Sequence, residues 1–346
     1  MALLELQAIF ITFASLLTIV IYRLYLHPLA KFPGPLLAKL TSLWIYRETY
    51  RGTEASTLTA LHAKYGPIIR VAPNELDIAD GDALNAIYVK NGGFLKAPCY
   101  KNFDMDGFPT MFSAIDPAHH SVRSKPVLPL FAQASIRDGK DVIVGCVDRM
   151  ISRLEQDAEQ SKKSGKPVNI LTCTRSLAVD ALTSYLFGKS YGGLEEDWKK
   201  EDGRLSAAYF VDSLVAAGRF FYLPPAVFSW LVLILDNFDI NFGPDRYLKW
   251  KSQVAVDKYV AGIVDEAIAA EKHAKEDDGK EDGIDTGTYQ RRLLKAGMSR
   301  DETIAQCKNT IFAGTDPTGT NLCTMCFHLV RNPKMYVIIV RNVQYC

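Results

Sequence analysis

The sequence predicts a mainly α-helical protein with a small β-sheet and one transmembrane helix at its amino terminus. Residues 2–22 are almost uninterrupted apolar residues, which is typical of a membrane-spanning helix. Residues 65–78 alternate between apolar and polar side chains, as expected for a half-buried pair of strands. From about Ile136 onward, apolar residues recur at helical spacing. These three patterns define the predicted fold class.

The composition is that of an ordinary globular protein without a strong overall charge. The 346 residues are 48% hydrophobic, and 40 basic residues nearly balance 39 acidic residues to give a net charge of +1. No global field attracts nucleic acid, so no nucleic-acid partner is predicted.

The seven cysteines are scattered through a long chain that does not depend on disulfides, which favours a reduced, cytosol-facing compartment. Cys323 and Cys326 form a C-x-x-C pair inside an apolar helical pattern. No second pair or histidine follows at the spacing of a zinc site, so we interpret both as buried thiols that pack as small hydrophobic groups. No metal site is predicted.

The apolar segment from Ala2 to Tyr22 predicts a membrane anchor whose partner is lipid. As a helix it is about 31 Å long, which matches the hydrocarbon core of a bilayer. Glu5 is its only charged residue and lies near the end, where a carboxylate can reach the headgroups. Arg23 and Lys31 follow the apolar run, which predicts a single-pass protein with a cytosolic body. A cleaved signal peptide is the alternative.

Residues 23–36 are predicted to form a proline-rich hinge between the anchor and the body. Pro28, Pro33 and Pro35 exclude helix and favour an extended, stiff backbone. Such a hinge sets a globular body at a fixed angle to the membrane. Residues 37–346 are assigned to that body.

The body is predicted to contain one hairpin, several helices and two solvated loops. The hairpin at residues 65–78 is bounded by Gly-Pro and Pro-Asn turn signals. Helical patterns cover residues 140–162, 170–187 and 251–274. Residues 192–204 and 271–287 are charged and lack periodicity, which indicates loops.

A second apolar run extends from Phe220 to Leu235. Pro224 and Pro225 interrupt it, so it is too short to be a second span. We expect a buried or membrane-dipping segment.

A long helix is predicted to begin after Ser299 and to end at Asn332-Pro333. Ser299 and Glu302 form a capping box, in which the hydroxyl and the carboxylate each accept a backbone N–H. Apolar residues from Leu322 to Val330 keep one face of the helix continuous. About 32 residues of helix extend roughly 48 Å, enough to cross a whole domain.

The middle of this helix reads Ala313-Gly314-Thr315-Asp316-Pro317-Thr318, which is unusual for a core helix. Pro317 has no N–H for the carbonyl of Ala313, so the backbone is expected to open and leave room for a small ligand or water. Asp316 is then placed as a proton source beside that gap. The alternative is a kinked core helix in which Asp316 bonds to neighbouring backbone.

Several of these segments resemble the cytochrome P450 family of haem-thiolate monooxygenases, in its fungal microsomal form. They are the proline-rich hinge directly after an anchor, YGPIIRVAPNELDIAD at residues 65–80, and AGTDPTGT followed by HLVRNP in the long helix. The resemblance extends from the anchor to the long helix. It implies a cytochrome P450 fold, with residues 37–346 forming part of the catalytic domain.

The resemblance implies that the long helix activates oxygen. By position, Ala313 and Gly314 would line the oxygen pocket, and Asp316 would be the acid that relays protons. The family has an alcohol at the next position, which Pro317 occupies here. Thr318, one residue later, or an ordered water is expected to replace that alcohol.

A second implied site lies in the segment His119-His120-Ser121-Val122-Arg123, after the helix-start signal Asp116-Pro117. The family binds the haem propionates with a basic helix here, which implies His120 and Arg123 as cofactor-binding residues. Imidazole and guanidinium groups on one helical face suit carboxylates. From the residues alone, a solvated basic surface is the alternative.

The resemblance implies an enzyme that inserts one oxygen atom from O2 into a lipophilic small molecule. Its cofactor would be haem, and its electrons would come from NADPH through a membrane-bound cytochrome P450 reductase. Its location would be the endoplasmic reticulum membrane, with the body facing the cytosol. The family binds the haem iron with a cysteine thiolate in a glycine-rich loop beyond the long helix. None of the seven cysteines has that context, so we expect the chain to end before the loop.

Two functional hypotheses follow from the sequence. The first is a cytochrome P450 monooxygenase family member that does not catalyse by itself in this form. The second is a non-catalytic, membrane-anchored helical remnant left by truncation or mis-splicing. The β-branched, nearly uncharged tail from Val337 to Cys346 fits out-of-frame or intron-derived sequence.

Overall fold

The computed structural model describes residues 2–90, 93–196, 205–237, 246–276 and 287–343. The chain divides into two compact units. The anchor unit consists of Met1–Asn102 and Ala217–Asn237, and the helical unit of Phe103–Ala216 and Phe238–Cys346. The boundaries predicted at residues 22 and 36 both fall inside the anchor unit.

The described residues are mainly helical with one small sheet, which confirms the predicted fold class. In chain order the elements are α1 Ala2–Ile21, α2 Leu36–Leu40, α3 Leu43–Arg51, α4 Glu54–Tyr65, β1 Ile68–Ala72, β2 Glu75–Ile78, α5 Pro117–Ser124, α6 Gln133–Asp138, α7 Lys140–Ser164, α8 Ile170–Phe187, α9 Ala208–Ala217, α10 Pro225–Asn237, α11 Arg246–Glu276, α12 Tyr289–Lys295, α13 Arg300–Arg331 and α14 Pro333–Val343.

The anchor unit begins with α1, whose described side chains are almost all exposed. Among the described residues, the segment Leu4–Leu26 is the one helical stretch long and apolar enough to cross a membrane. One π-helical turn, Tyr22–Leu26, continues α1. This arrangement fits the predicted membrane anchor.

The predicted hairpin is confirmed. Strands β1 and β2 pair antiparallel, with Ile68 opposite Ile78, and an irregularity follows Arg70. Ile69 and Val71 of β1 are buried, and so is Ile45 of α3, which packs on the same strand. These contacts form the small core of the anchor unit.

The apolar run starts at the last residue of a short 3₁₀ turn, Gly218–Phe220, and continues into α10. Helix α10 starts at Pro225, because proline fits the first turn of a helix. The side-chain amide of Asn102 donates to the carbonyls of Phe221 and Leu223, both at 2.9 Å. Beyond that attachment, Trp230 and Leu233 of α10 are 63% and 61% exposed. A fully buried segment, one of the two expectations, is therefore wrong for α10.

The helical unit is built around the pairing of α8 with α13, and α7 and α11 pack on this pair. Val179 of α8, Val260 of α11 and Ile311 of α13 are fully buried in its core. The three helices predicted from residues 140, 170 and 251 are confirmed as α7, α8 and α11. The loop predicted from residue 271 is wrong for residues 271–276, where α11 continues. Residues 197–204 and 277–286, which belong to the two predicted loops, lie outside the described residues.

The long helix α13 covers 32 residues, as predicted, and runs through Pro317 without a break in its helical backbone. At its start, the Ser299 hydroxyl accepts a hydrogen bond from the Glu302 N–H at 3.2 Å. The reciprocal half of the predicted capping box is replaced, because the Glu302 carboxylate pairs with Arg123. The cap is therefore single-sided.

Candidate functional site

The middle of α13 is the point at which one side of the helix becomes exposed. Before it, residues such as Ile311 are buried, and Thr315 and Gly319 continue the buried side. Ala313, Pro317 and Thr318 are exposed. Ala313 and Pro317 are four residues apart and therefore lie on the same face, one turn from each other.

Two glycines allow α13 to approach α8 closely. A Cβ on Gly319 would lie 2.7 Å from Cγ and 2.9 Å from Cα of Arg175, closer than van der Waals contact permits. A Cβ on Gly314 would collide with the side chain of Leu182. Gly314 thus lies against α8, whereas its neighbour Ala313 is exposed.

Asp316 is held by a charged network that links three helices. The Arg175 guanidinium of α8 donates one Nη to Asp316 and the other to Asp212 of α9, the latter at 3.0 Å. Thr320 is a more distant partner of the Asp316 carboxylate, at 3.5 Å. The Arg175 side chain is only 13% exposed, whereas the side chains of Asp212 and Asp316 are 31% and 23% exposed. Among the described residues, the hydrogen bonds of Asp316 are to the side chains of Arg175 and Thr320, unlike those of the alternative in which it bonds to backbone.

A cavity of about 250 Å³ lies beside this network. Its lining residues are Asn169, Leu171, Thr172, Arg175, Leu205, Ala208 and Asp212. The buried Nε of Arg175 has no hydrogen-bond acceptor among the described residues. A cavity of this size holds several water molecules at about 30 Å³ each, and one of them can accept from Nε. The cavity therefore gives water access to the Arg175–Asp212 pair.

Arg123 is committed to a different contact. Its Nε donates to the Glu302 carboxylate, and its Nη1 donates to the His119 carbonyl at 3.1 Å. Both side chains of the Arg123–Glu302 pair are less than one fifth exposed, at 16% and 12%. His120 lies on the same helix, α5, and is half-buried. Glu302 precedes Asp316 by 14 residues, about 21 Å along α13, so the two predicted sites are far apart.

Comparison with known proteins decides the family. The cytochrome P450 family matches residues 31–344, which is most of the chain. The chain belongs to the cytochrome P450 family. It is 36% identical over 326 residues to cytochrome P450 monooxygenase mfmF of Annulohypoxylon moriforme, covering 91% of this chain and 63% of that protein. It is 28% identical over 331 residues to averantin hydroxylase of Dothistroma septosporum, covering 95% of this chain and 58% of that protein. The chain thus spans less than two thirds of the length of these relatives.

Cytochromes P450 carry haem, whose iron requires a cysteine thiolate. Burial raises the pKa of Cys173 to about 11 and also raises the pKa values of Cys99 and Cys307. Cys326 is exposed and Cys323 half-buried, so the prediction that this pair is fully buried is wrong. Among the described residues no cluster of His, Cys, Asp or Glu is arranged to hold a metal ion. Burial therefore disfavours the thiolate state that a haem ligand needs in Cys99, Cys173 and Cys307.

The sequence analysis singled out Asp316 as a candidate but not Arg175 and Asp212, which form the same charged network. Arg175 carries the one charge within the first ten residues of the predicted helix 170–187, among leucine, threonine and cysteine. A lone charge on a helix that is mostly buried indicates a paired charge. That signal points to Arg175, but no local pattern identifies its partners on two other helices.

Gly319→Ala is expected to destabilise the helical unit by about 1–3 kcal/mol, because the new methyl must displace Arg175 or separate α8 from α13. Urea unfolding measures the change in the free energy of unfolding, and hydrogen exchange of the α8 amides shows whether the loss is at the contact with α13. The matched control is Gly262→Ala in α11, where a Cβ meets no atom within 4 Å. That change should be neutral or stabilise by up to about 1 kcal/mol. Equal behaviour of the two variants would contradict close packing at Gly319.

Proposed function

We propose that this chain acts in a cytochrome P450 monooxygenase that inserts one oxygen atom from O2 into a lipophilic small molecule. Electrons come from NADPH through a membrane-bound reductase. The observation that carries the proposal is Asp316, a carboxylate fixed by Arg175 next to the exposed face of α13 in a chain of this family. The names of the two relatives, a monooxygenase and a hydroxylase, support the same reaction class.

In this proposal α13 supplies the side of the active site at which protons are handled. Ala313 and Pro317 present little side-chain volume on the exposed face, which leaves room for a ligand against the backbone. Pro317 also leaves the Ala313 carbonyl without its usual helical donor, so this carbonyl is available to a water molecule or a hydroxyl group. Asp316 then donates or accepts protons, and Thr318 on the exposed side takes the place of the family's alcohol.

Arg175 and Asp212 are positioning residues in this scheme. The bridged guanidinium fixes the side-chain torsions of Asp316, because a planar donor holds a carboxylate in a defined orientation. Arg175 and Asp212 also line a cavity with room for water. Asp316 is thereby kept in one orientation by a guanidinium that borders this cavity.

Haem supplies oxygen binding and electron transfer in this family. The proposal requires an iron-ligating thiolate, a state that burial disfavours in Cys99, Cys173 and Cys307. Arg123 and His120 are retained as the candidates for the propionates. Arg123 would then have to exchange Glu302 for a propionate, or bind both.

The segment Leu4–Leu26 anchors the protein in the endoplasmic reticulum membrane in this proposal. Arg23 and Lys31 follow the anchor and favour a cytosolic body. That orientation places the body in the compartment that supplies NADPH.

The second candidate function is a membrane-tethered helical protein without catalysis. The cysteine environments favour it, because none of the three thiols whose pKa is raised by burial is activated as a ligand. Such a protein keeps the same fold and the same anchor. The two candidates differ only in whether the protein oxygenates a substrate.

The experiment is expression of the whole chain in yeast membranes together with a cytochrome P450 reductase. Lipophilic substrates, NADPH and O2 are supplied, and products are measured by mass spectrometry. The proposal expects a product that gains one oxygen atom only when NADPH, O2 and the reductase are all present. Folded, membrane-bound protein that yields no such product would contradict the proposal and support the second candidate.

A further inference from the structure

The joint between α1 and the rest of the anchor unit, residues 22–28, contains a carbonyl that receives no hydrogen bond from the backbone of the described residues. In the π-helical turn Tyr22–Leu26, the His27 N–H donates to the Tyr22 carbonyl at 2.8 Å. The next donor in this pattern would belong to residue 28, five residues after Arg23, but Pro28 has no N–H. The carbonyl of Arg23 therefore needs a donor from elsewhere.

Arg70 of β1 supplies that donor. Its Nη1 donates to the Arg23 carbonyl at 2.8 Å, and its Nη2 donates to the Pro73 carbonyl at 2.7 Å. Its Nε also donates to the Pro73 carbonyl, at 3.2 Å. A single rigid guanidinium thus connects the base of the anchor helix to the turn of the hairpin.

The backbone of Arg70 secures the hinge as well. Its N–H donates to the Pro33 carbonyl at 2.7 Å. Gly34 lies so close to the Arg70 carbonyl that a Cβ at residue 34 would collide with it. The hinge therefore passes directly over β1 and contacts both the N–H and the carbonyl of Arg70.

The burial of Arg70 shows that this contact is specific. Arg70 is 0% exposed, and its side-chain hydrogen bonds among the described residues are to main-chain carbonyls. A buried charge is stabilised only when its hydrogen-bond donors are satisfied, so the guanidinium requires the Arg23 and Pro73 carbonyls in place. The contact is therefore mutual, because the anchor base needs a donor and Arg70 needs an acceptor.

Two further contacts close the joint. Nε2 of His27 lies 3.0 Å from Oδ1 of Asn74, in the hairpin turn. The Arg23 side chain donates to the Leu40 carbonyl at the end of α2, where a helix lacks internal donors. The base of α1 is thus bound to three separate segments of the anchor unit.

We infer that Arg70 is a clamp that fixes the direction of the membrane helix α1 relative to the rest of the anchor unit. The orientation of α1 then determines how the rest of the anchor unit faces the bilayer. The hinge is a rigid segment and not a flexible linker. This inference rests on α1 as the membrane anchor and is independent of oxygenation.

The test uses the whole chain in lipid nanodiscs and measures tryptic cleavage after the exposed residue Lys31, within the hinge. Arg70→Gln is expected to increase the cleavage rate at least about tenfold, because charge-assisted hydrogen bonds to the joint are lost. Arg70→Lys should be cleaved about as fast as Arg70→Gln. A single ammonium cannot bind the Arg23 and Pro73 carbonyls in the fork geometry of a guanidinium. Asn74→Ala, an exposed change that leaves Arg70 intact, should increase the rate about two- to fivefold.

The matched control is Arg47→Gln, which removes a guanidinium that is 59% exposed in the same unit and should not change the rate. Hydrogen exchange of α4 amides shows whether the rest of the anchor unit stays folded, as the clamp requires. Wild-type cleavage in Arg70→Gln, or full rescue by Arg70→Lys, would overturn the inference. Faster cleavage of Arg70→Gln with loss of α4 protection would mean that the whole unit unfolds. In that case Asn74→Ala decides: the inference stands if this variant is cleaved faster while α4 stays protected, and it is overturned if it is not.

Discussion

Asp180→Ala is expected to cause the largest loss of stability of any single change considered for the helical unit, about 3 kcal/mol or more. The Asp180 carboxylate is fully buried and accepts the backbone N–H groups of Gly192, Gly193 and Leu194, each at 2.9 Å. Alanine leaves all three donors without this acceptor, and each unsatisfied buried donor costs about 1–3 kcal/mol. Denaturant unfolding and hydrogen exchange of the amides at 192–194 measure the loss.

Asp180→Asn separates the hydrogen bonds from the charge. Its amide retains one acceptor oxygen but places an N–H₂ group against donors, so an intermediate loss is expected. Asp148→Ala, at an exposed position on α7, is the control and should change stability by less than about 0.5 kcal/mol. Asp180→Ala with the stability of this control would show that the turn does not depend on the carboxylate.

Asp316→Asn is expected to lower the rate of product formation about 100-fold in membranes where the wild type oxygenates a substrate. An amide keeps an oxygen for Arg175 but cannot donate and accept protons as a carboxyl group does, and general acid–base groups contribute at least that factor. NADPH consumption should fall much less than product formation, because electrons continue to reach oxygen. The ratio of product to NADPH consumed is the decisive quantity.

The control for this variant is Asp301→Asn on the first turn of the same helix. Its side chain is 72% exposed and, among the described residues, forms an ion pair with the neighbouring Arg300 at 3.3 Å. This change should leave both product formation and its coupling to NADPH unchanged. If Asp316→Asn matches Asp301→Asn in both measurements, Asp316 does not handle protons in the reaction.

The fold class was predictable because it depends on local patterns. The anchor, the hairpin at β1–β2 and the extent of α13 each follow from apolar periodicity and from turn or capping residues close in sequence. The continuation of α11 to residue 276 was missed, because charged residues fit an exposed helix as well as they fit a loop.

The site was only partly predictable, because its contacts join residues distant in sequence. Asp316 was found from its place beside Gly314 and Pro317 in one short stretch. Its partner Arg175 lies 141 residues away, and no periodicity encodes that pairing. Glu302 shows the same limit: its motif predicted a reciprocal cap, but a tertiary ion pair with Arg123 replaced it.

Glycine in α13 illustrates how tertiary packing changes the meaning of a residue. Position alone favoured Gly314 as a lining of open space. In the structure Gly314 and Gly319 both face α8, and the exposed side is formed by Ala313 and Pro317. Small residues in a long helix can serve close helix packing, ligand space or both, and only the neighbouring helix distinguishes these uses.

We propose that Asp316 lies on the acid-bearing side of the oxygen site, and that Cys99, Cys173 and Cys307, whose pKa values are raised by burial, do not supply the thiolate for the haem iron. The reduced carbon monoxide difference spectrum of the whole chain after haem addition tests the second part of this proposal. It is compared with the spectrum of a variant in which these three cysteines are replaced by serine. We expect any thiolate-type band to be the same in both spectra. A stoichiometric thiolate-type band that is present in the unchanged chain and absent from the variant would contradict the proposal.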